Sequence, residues 1–225
     1  MIYILPILGV LLSFIFVYVT KPKNKEIFKL LLAFSGAFLL AITVFELFPE
    51  VYKHGHPKQV GVFIMLGILL QIFLEFFSKG AEHGHVHLNI DKVNLPWMLF
   101  ISLSIHSLLE GMPLGHHHNH NFVYGILVHK IPIAIILSIF LLNSKIKLAQ
   151  AILFITLFAF MTPLGSLLSN NLTILKTYQI QITALVIGVL LHISTVILFE
   201  SSEGHKFNLR KLLVIIFGIA IAYFI

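Results

Sequence analysis

The stretch HSLLEGMPLGHHHNHNFVYGILVHKIP, residues 106–132, sets two histidines, a glutamate and a lysine among leucine, isoleucine and valine. It reads as two apolar arms joined by a polar break at 115–121. Apolar runs of about twenty residues match the hydrocarbon core of a bilayer, ~30 Å at ~1.5 Å per helical residue. Backbone groups in lipid find no outside partners, so such runs must be helices or strands of a closed barrel. Period-2 alternation is missing, which favours helices. So short a connection makes the two arms antiparallel neighbours.

The same pattern extends along the whole chain. Polar breaks at 21–26, 52–58, 79–94, 115–121, 143–147, 169–178 and 201–208 leave eight apolar spans, at 2–19, 27–50, 59–78, 95–114, 122–142, 148–168, 179–199 and 209–225. Of the 225 residues, 58% are hydrophobic and 11% charged, against about a quarter charged in soluble domains. The expectation is an all-α, polytopic integral membrane protein, with a single transmembrane domain over 1–225 and neither a long linker nor a tandem repeat. Residues 1–19 lack a basic leader and a small-residue cleavage site, and read as the first span rather than a removable signal. Cysteine is absent, which excludes disulfides and thiolate metal sites.

Basic residues set the orientation. One side of the membrane carries Lys21, Lys23, Lys25, Lys29, Lys79, Lys92, Lys145, Lys147, Lys206, Arg210 and Lys211; the other carries Lys53, Lys58 and Lys176. The richer side is cytoplasmic by the positive-inside rule, and both termini then lie outside. The formal charge of +6 is accounted for by topology, so no nucleic-acid partner is expected. The expected location is a cell membrane, plasma or inner.

Ionisable side chains inside a bilayer cost several kcal/mol and point to function by default. The two arms hold four: His106, Glu110, His129 and Lys130. His106 and Glu110 are four apart, on one helix face at adjacent turns. Counted outward to the connecting loop, His106 and His129 come level, roughly 15 Å below the outer surface. Two imidazoles and a carboxylate form the His₂Glu set favoured by zinc, with a coordination position left open. Iron, manganese or cadmium would also accept nitrogen and oxygen ligands. Ligands must be deprotonated, so affinity is expected to fall as pH drops through the histidine range. The same groups could instead pair only with one another, His106 with Glu110 and Lys130 with Glu110. Pro132 frees a carbonyl near Val128 and can kink its helix.

The HSLLEG of span 4 and HKIP of span 5 resemble the paired signatures of the ZIP family of divalent metal transporters. FELFPE at 45–50, TPLG at 162–165, a histidine-rich loop between spans 3 and 4, and eight spans with outside termini support that resemblance. It implies import of zinc or a related ion as transported substrate, with no cofactor and no enzymatic activity. It also implies that His106, Glu110 and His129 are the ligands of the primary metal site, and that the chain forms a homodimer. Many members hold two adjacent metals, with HNxxEG in span 4, an acidic residue after the first span 5 ligand, xPE, and EPLG in span 6. Those second-site positions are here Ser107, Lys130, Ile133 and Thr162. The expectation is a mononuclear site in which the Lys130 ammonium stands where a second cation would sit, as in the branch that carries HK in span 5.

Other residues carry weaker signals. Glu46 and Glu50, four apart near the outer end of span 2, could attract an entering cation; otherwise Glu50 is interfacial and solvated, and Glu46 is bonded to a neighbouring helix. Gln71 and Glu75 share a face of span 3, and with His192 of span 7, Glu200 and Glu203 could pass an ion inward. The blander reading makes His192 a satisfied core histidine, with Glu75 and Glu200 snorkelling toward Lys79 and Lys206. The loop tracts HGHVH (His83, His85, His87) and GHHHNH (His116, His117, His118, His120) could bind metal loosely. Gly61 and Gly67 are small enough to permit close helix approach. Two other functions compete. An intramembrane zinc-dependent hydrolase would need a second carboxylate as base, yet Glu46 and Glu75 lie toward opposite ends and no H-E-x-x-H occurs. A metal-sensing membrane protein would want a signalling domain, and no loop exceeds about sixteen residues.

Overall fold

The computed structural model describes residues 3–22, 24–78, 97–115, 120–200 and 209–225. Among these the chain is helical, with no strand. The helices are α1 (Ile4–Thr20), α2 (Lys25–Ile42), α3 (Phe48–His54), α4 (Pro57–Ser78), α5 (Trp97–Gly111), α6 (His120–Asn143), α7 (Leu148–Asn171), α8 (Thr173–Thr177), α9 (Gln179–Glu200) and α10 (Leu209–Phe224). A π-helical turn, Thr43–Leu47, joins α2 to α3, so that 26–54 is one continuous apolar rod. Five helical stretches are long and apolar enough to cross a membrane: Glu26–His54, Pro57–Phe77, Phe122–Asn143, Leu148–Asn171 and Gln179–Phe199. Two more, Ile4–Thr20 and Trp97–Gly111, are apolar but shorter.

Local chemistry explains the joints. Asn24 caps α2 by accepting from the backbone N–H groups of Glu26 and Ile27 at 3.1 and 3.3 Å, satisfying donors that the first turn leaves open. Lys21 closes α1 in the left-handed region, φ 44°, and its N–H returns to the Val17 carbonyl at 2.9 Å. The π turn precedes Pro49, whose ring would meet the Phe45 carbonyl in a regular α-helix and which has no N–H to donate. One widened turn absorbs both problems and extends span 2 past its expected end at 50 to His54. Pro132, by contrast, lies within an α6 that runs unbroken from His120 to Asn143.

The buried apolar residues form two main clusters. One gathers Val10 and Phe14 of α1, Leu103 of α5, and Ile155 and Phe158 of α7. The other gathers Phe38 and Ile42 of α2, Ile64 of α4, and Ile187 and Leu190 of α9. Helix α6 belongs to both. Its first half places Phe122 and Ile126 in the second cluster, and its second half places Ile133 and Leu141 in the first. His129 and Lys130 fall at the crossover.

Close approach between helices depends on glycine, because lipid supplies no hydrophobic drive and packing must come from contact. A Cβ on Gly111 would strike the Thr162 carbonyl, and one on Gly165 would strike the Leu108 carbonyl, so α5 and α7 touch backbone to backbone. Gly67 and Gly188 do the same for α4 and α9, meeting Leu185 and Ile64 carbonyls. Of the two span 3 glycines singled out by sequence, Gly67 is therefore committed within the chain, while Gly61 faces open space. The outward face of α4 carries Val62, Met65, Leu69, Phe73 and Phe76, all exposed, as lipid contact requires.

Gly165→Ala is expected to destabilise the bundle by about 1–3 kcal/mol, the usual cost of overpacking. Gly61→Ala is expected to be neutral or slightly stabilising, since alanine is the better helix former. Thermal unfolding of the two variants in detergent checks this: equal midpoints would contradict the close α5–α7 contact.

Candidate metal centre

The site sits on three helices held in fixed register. His106, Ser107 and Glu110 come from α5, His129 and Lys130 from α6, and Phe158 and Thr162 from α7. All five α5 and α6 side chains are fully buried, at 0–1% exposure. Side chains on a helix lean toward its N-terminus, so Glu110 reaches back one turn to the level of His106 and His129. Its Oε1 lies 2.8 Å from His106 Nε2 and 3.8 Å from His129 Nε2. The two imidazoles stand nearly perpendicular, ring centres 6.2 Å apart. One nitrogen from each and one carboxylate oxygen lie within 4.8 Å of one another. This is the only such group of three or more histidine and acidic residues among the described residues.

The other carboxylate oxygen is engaged elsewhere. Lys130 Nζ lies 3.2 Å from Glu110 Oε2 and donates to Ser107 Oγ at 2.9 Å. The Phe158 ring faces the same ammonium at 4.9 Å, a favourable cation–π arrangement when desolvated. Thr162 Oγ1 donates to the Ser107 carbonyl at 3.1 Å. The carboxylate is thus divided: Oε1 faces the imidazoles, Oε2 faces the ammonium. Among the described residues, no well-formed hydrogen bond occupies Glu110 Oε1 or either ring nitrogen of His106. Lone pairs in a dry site that are not spent on protein donors are available to a cation.

Other residues singled out in the sequence are placed apart. Glu46 is half-buried in the π turn and Glu50 is exposed. Glu50 pairs with His54, Oε1 to Nδ1 3.3 Å, beside a cleft of about 270 Å³ that Gln179 and Thr183 also line. His54 was missed by sequence reading, although it lies one turn beyond Glu50. His192 meets Glu75 across α4 and α9, Nε2 to Oε2 2.7 Å. Sequence reading had Glu75 on one face with Gln71 and set His192 on the same inward path, but did not give the direct contact between Glu75 and His192. Phe158 was also missed; it lies one turn before Thr162, whose position the span 6 motif had marked. Of the loop histidines, His83, His85, His87, His116, His117 and His118 lie outside the described residues, as does Glu203; for His120 and Glu200 only the backbone is described.

Comparison with known proteins bears on this arrangement. A family model described as ZIP Zinc transporter matches residues 92–225, which include every residue of the site. "Zinc transporter ZIP1" of Danio rerio is 32% identical over 121 residues, covering 52% of this chain and 35% of the relative. "Protein zntD" of Dictyostelium discoideum is 34% identical over 106 residues, covering 40% of this chain and 16% of the relative. "Zinc transporter ZIP1" of Takifugu rubripes is 35% identical over 89 residues, covering 38% and 30%. The matched stretches thus span 35% or less of each relative's own length.

Lys130→Met is expected to destabilise the protein by about 3–5 kcal/mol, because it strands a buried carboxylate. Adding Glu110→Gln should recover part of that loss, and the three variants compared with wild type form a double-mutant cycle. Additive shifts in unfolding midpoint would show that the two groups are not coupled.

Proposed function

Because the chain belongs to the ZIP zinc transporter family, matched over residues 92–225, we propose that it carries a divalent metal ion, zinc foremost, across the membrane into the cytoplasm through a single His106–Glu110–His129 site. The whole chain, 1–225, acts in this reading as one transporter domain. The observation that carries it is the convergence of two imidazole nitrogens and one carboxylate oxygen from α5 and α6 within 4.8 Å, fully buried. A hydrated ion sheds water, takes these three ligands, and keeps its remaining positions for water. An open shell suits transport, since four closed ligands would hold the ion too well. Iron, manganese and cadmium are the other ions this ligand set would take.

Lys130 makes the site mononuclear. It holds Glu110 Oε2, the oxygen a bridging carboxylate would offer a second metal. At ~4 Å and an effective dielectric near 20, two unit charges repel by ~4 kcal/mol, and a divalent ion doubles that. Ser107, Ile133 and Thr162 offer no carboxylate or imidazole in compensation. Glu46 and Glu50 serve as the outer approach, and His192 lies on the route inward. The loop histidines raise the local metal concentration at either mouth. Homodimer formation belongs to the same reading and rests on the family alone. Membership of a transporter family sets the hydrolase reading aside, and a sensor would bind metal without moving it.

Zinc entry into proteoliposomes, followed with a trapped indicator, tests the function. Saturable uptake is expected for wild type and loss of it for Glu110→Ala that still folds. Uptake surviving in Glu110→Ala would keep a transporter but discard the site. Anomalous scattering from zinc-loaded protein is expected to show one ion at this cluster, in wild type and in Lys130→Asp alike. Two ions there in wild type would contradict the mononuclear site.

A further inference from the structure

Glu110 turns its two oxygens to different neighbours. Oε1 lies 2.8 Å from His106 Nε2 and 3.8 Å from His129 Nε2, whereas Oε2 lies 3.2 Å from Lys130 Nζ. The ammonium is itself fixed. Fully buried, it donates to Ser107 Oγ at 2.9 Å and faces the Phe158 ring at 4.9 Å. Thr162 Oγ1 donates to the Ser107 carbonyl at 3.1 Å, which holds the turn of α5 that carries Ser107. To bring Oε2 round to a metal, the carboxylate would have to turn away from Lys130 and strand a buried ammonium. Parting a buried ion pair in this way is costly.

A metal on this cluster therefore receives three protein atoms, two nitrogens and one oxygen, and no fourth histidine or acidic residue joins them among the described residues. With a water added, that set completes a tetrahedral zinc shell. Manganese prefers an octahedral, oxygen-rich shell, and here it would have to gather several waters in a site sealed from solvent. Carboxylates bind oxygen-seeking cations through one oxygen or through both. A Glu110 free to use both would fill one of the missing positions, and Lys130 withholds it.

We propose that Lys130 is a specificity-determining residue: by holding Glu110 Oε2 it limits the carboxylate to one metal bond, and so favours tetrahedral zinc over octahedral ions such as manganese. This role rests on the reading that His106, Glu110 and His129 take the metal. It differs from the exclusion of a second ion, which is a matter of charge. The ammonium repels every divalent ion alike, whereas the number of oxygens it leaves available changes the ranking among them. The two imidazoles already place zinc above manganese in affinity, and Lys130 widens that gap.

The test is competition binding of zinc and manganese to the full chain in detergent, as wild type and Lys130→Met. Both ions carry two charges, so loss of the ammonium tightens them alike, and only the freed Oε2 separates them. Manganese affinity is expected to rise about tenfold more than zinc affinity, the lower end of what residues that orient a metal ligand contribute. An unchanged zinc-to-manganese ratio overturns the inference and leaves the metal site in place. Should Lys130→Met fail to fold, the crystal structure of zinc-loaded wild type decides. Zinc on Oε1 alone, with Oε2 still on Lys130, is expected; zinc held by both oxygens overturns the inference. Zinc absent from His106, Glu110 and His129 discards the site itself, and the role of Lys130 with it.

Discussion

A carboxylate sealed in a hydrocarbon-rich interior must be compensated, and the architecture around Glu110 is arranged to do so. Stripped of water, an isolated carboxylate would cost far more than a folded protein's net stability. Here one oxygen is held by the ammonium and the other faces the imidazoles. That division ties α5 to α6, and through Ser107 and Thr162 to α7. It also separates the two ends of one carboxylate: one oxygen is anchored by Lys130, and the other faces the two imidazoles.

The anchoring depends on helices coming closer than ordinary side chains allow. Gly111 and Gly165 let α5 and α7 meet through their carbonyls, which puts Thr162 within reach of the Ser107 backbone. A larger residue at either glycine would move Thr162 and Phe158 away from the site they support. Helix α6 contributes differently. It is shared by both apolar clusters, so His129 and Lys130 are positioned by packing on either side of them rather than by a loop. The second carboxylate–imidazole pair, Glu75 with His192, rests on the matching glycine crossing of α4 and α9.

Much of this was legible in the sequence because a bilayer restricts what a chain can do. Apolar runs and polar breaks implied helices, and those helices lie where the runs lie, with shifts at their ends. The shifts have local causes: a π turn accommodates Pro49, and span 2 extends to His54. Four-residue spacing put His106 and Glu110 on one face, but the expected packing of spans 4 and 5 as neighbours does not occur: α5 packs on α7 and α4, α6 packs on α1 and α2, and long side chains bridge the two at the site. What the spacing left open was whether Lys130 was a partner of Glu110 or a bystander. Two helices of known depth can still rotate about their axes.

The sequence by itself determined the solvent, the helical class and the residue types at mid-depth. Each follows from periodicity and from the cost of unpaired polar groups in lipid. Tertiary structure decided the pairings that cross between distant helices: Lys130 with Ser107 and Phe158, Thr162 with the Ser107 carbonyl, and Glu75 with His192. These depend on the azimuth and separation of packed helices. Azimuth and separation are set by which glycines touch which carbonyls, a contact between residues more than fifty positions apart along the chain, as with Gly111 and Thr162. No local pattern carries that information.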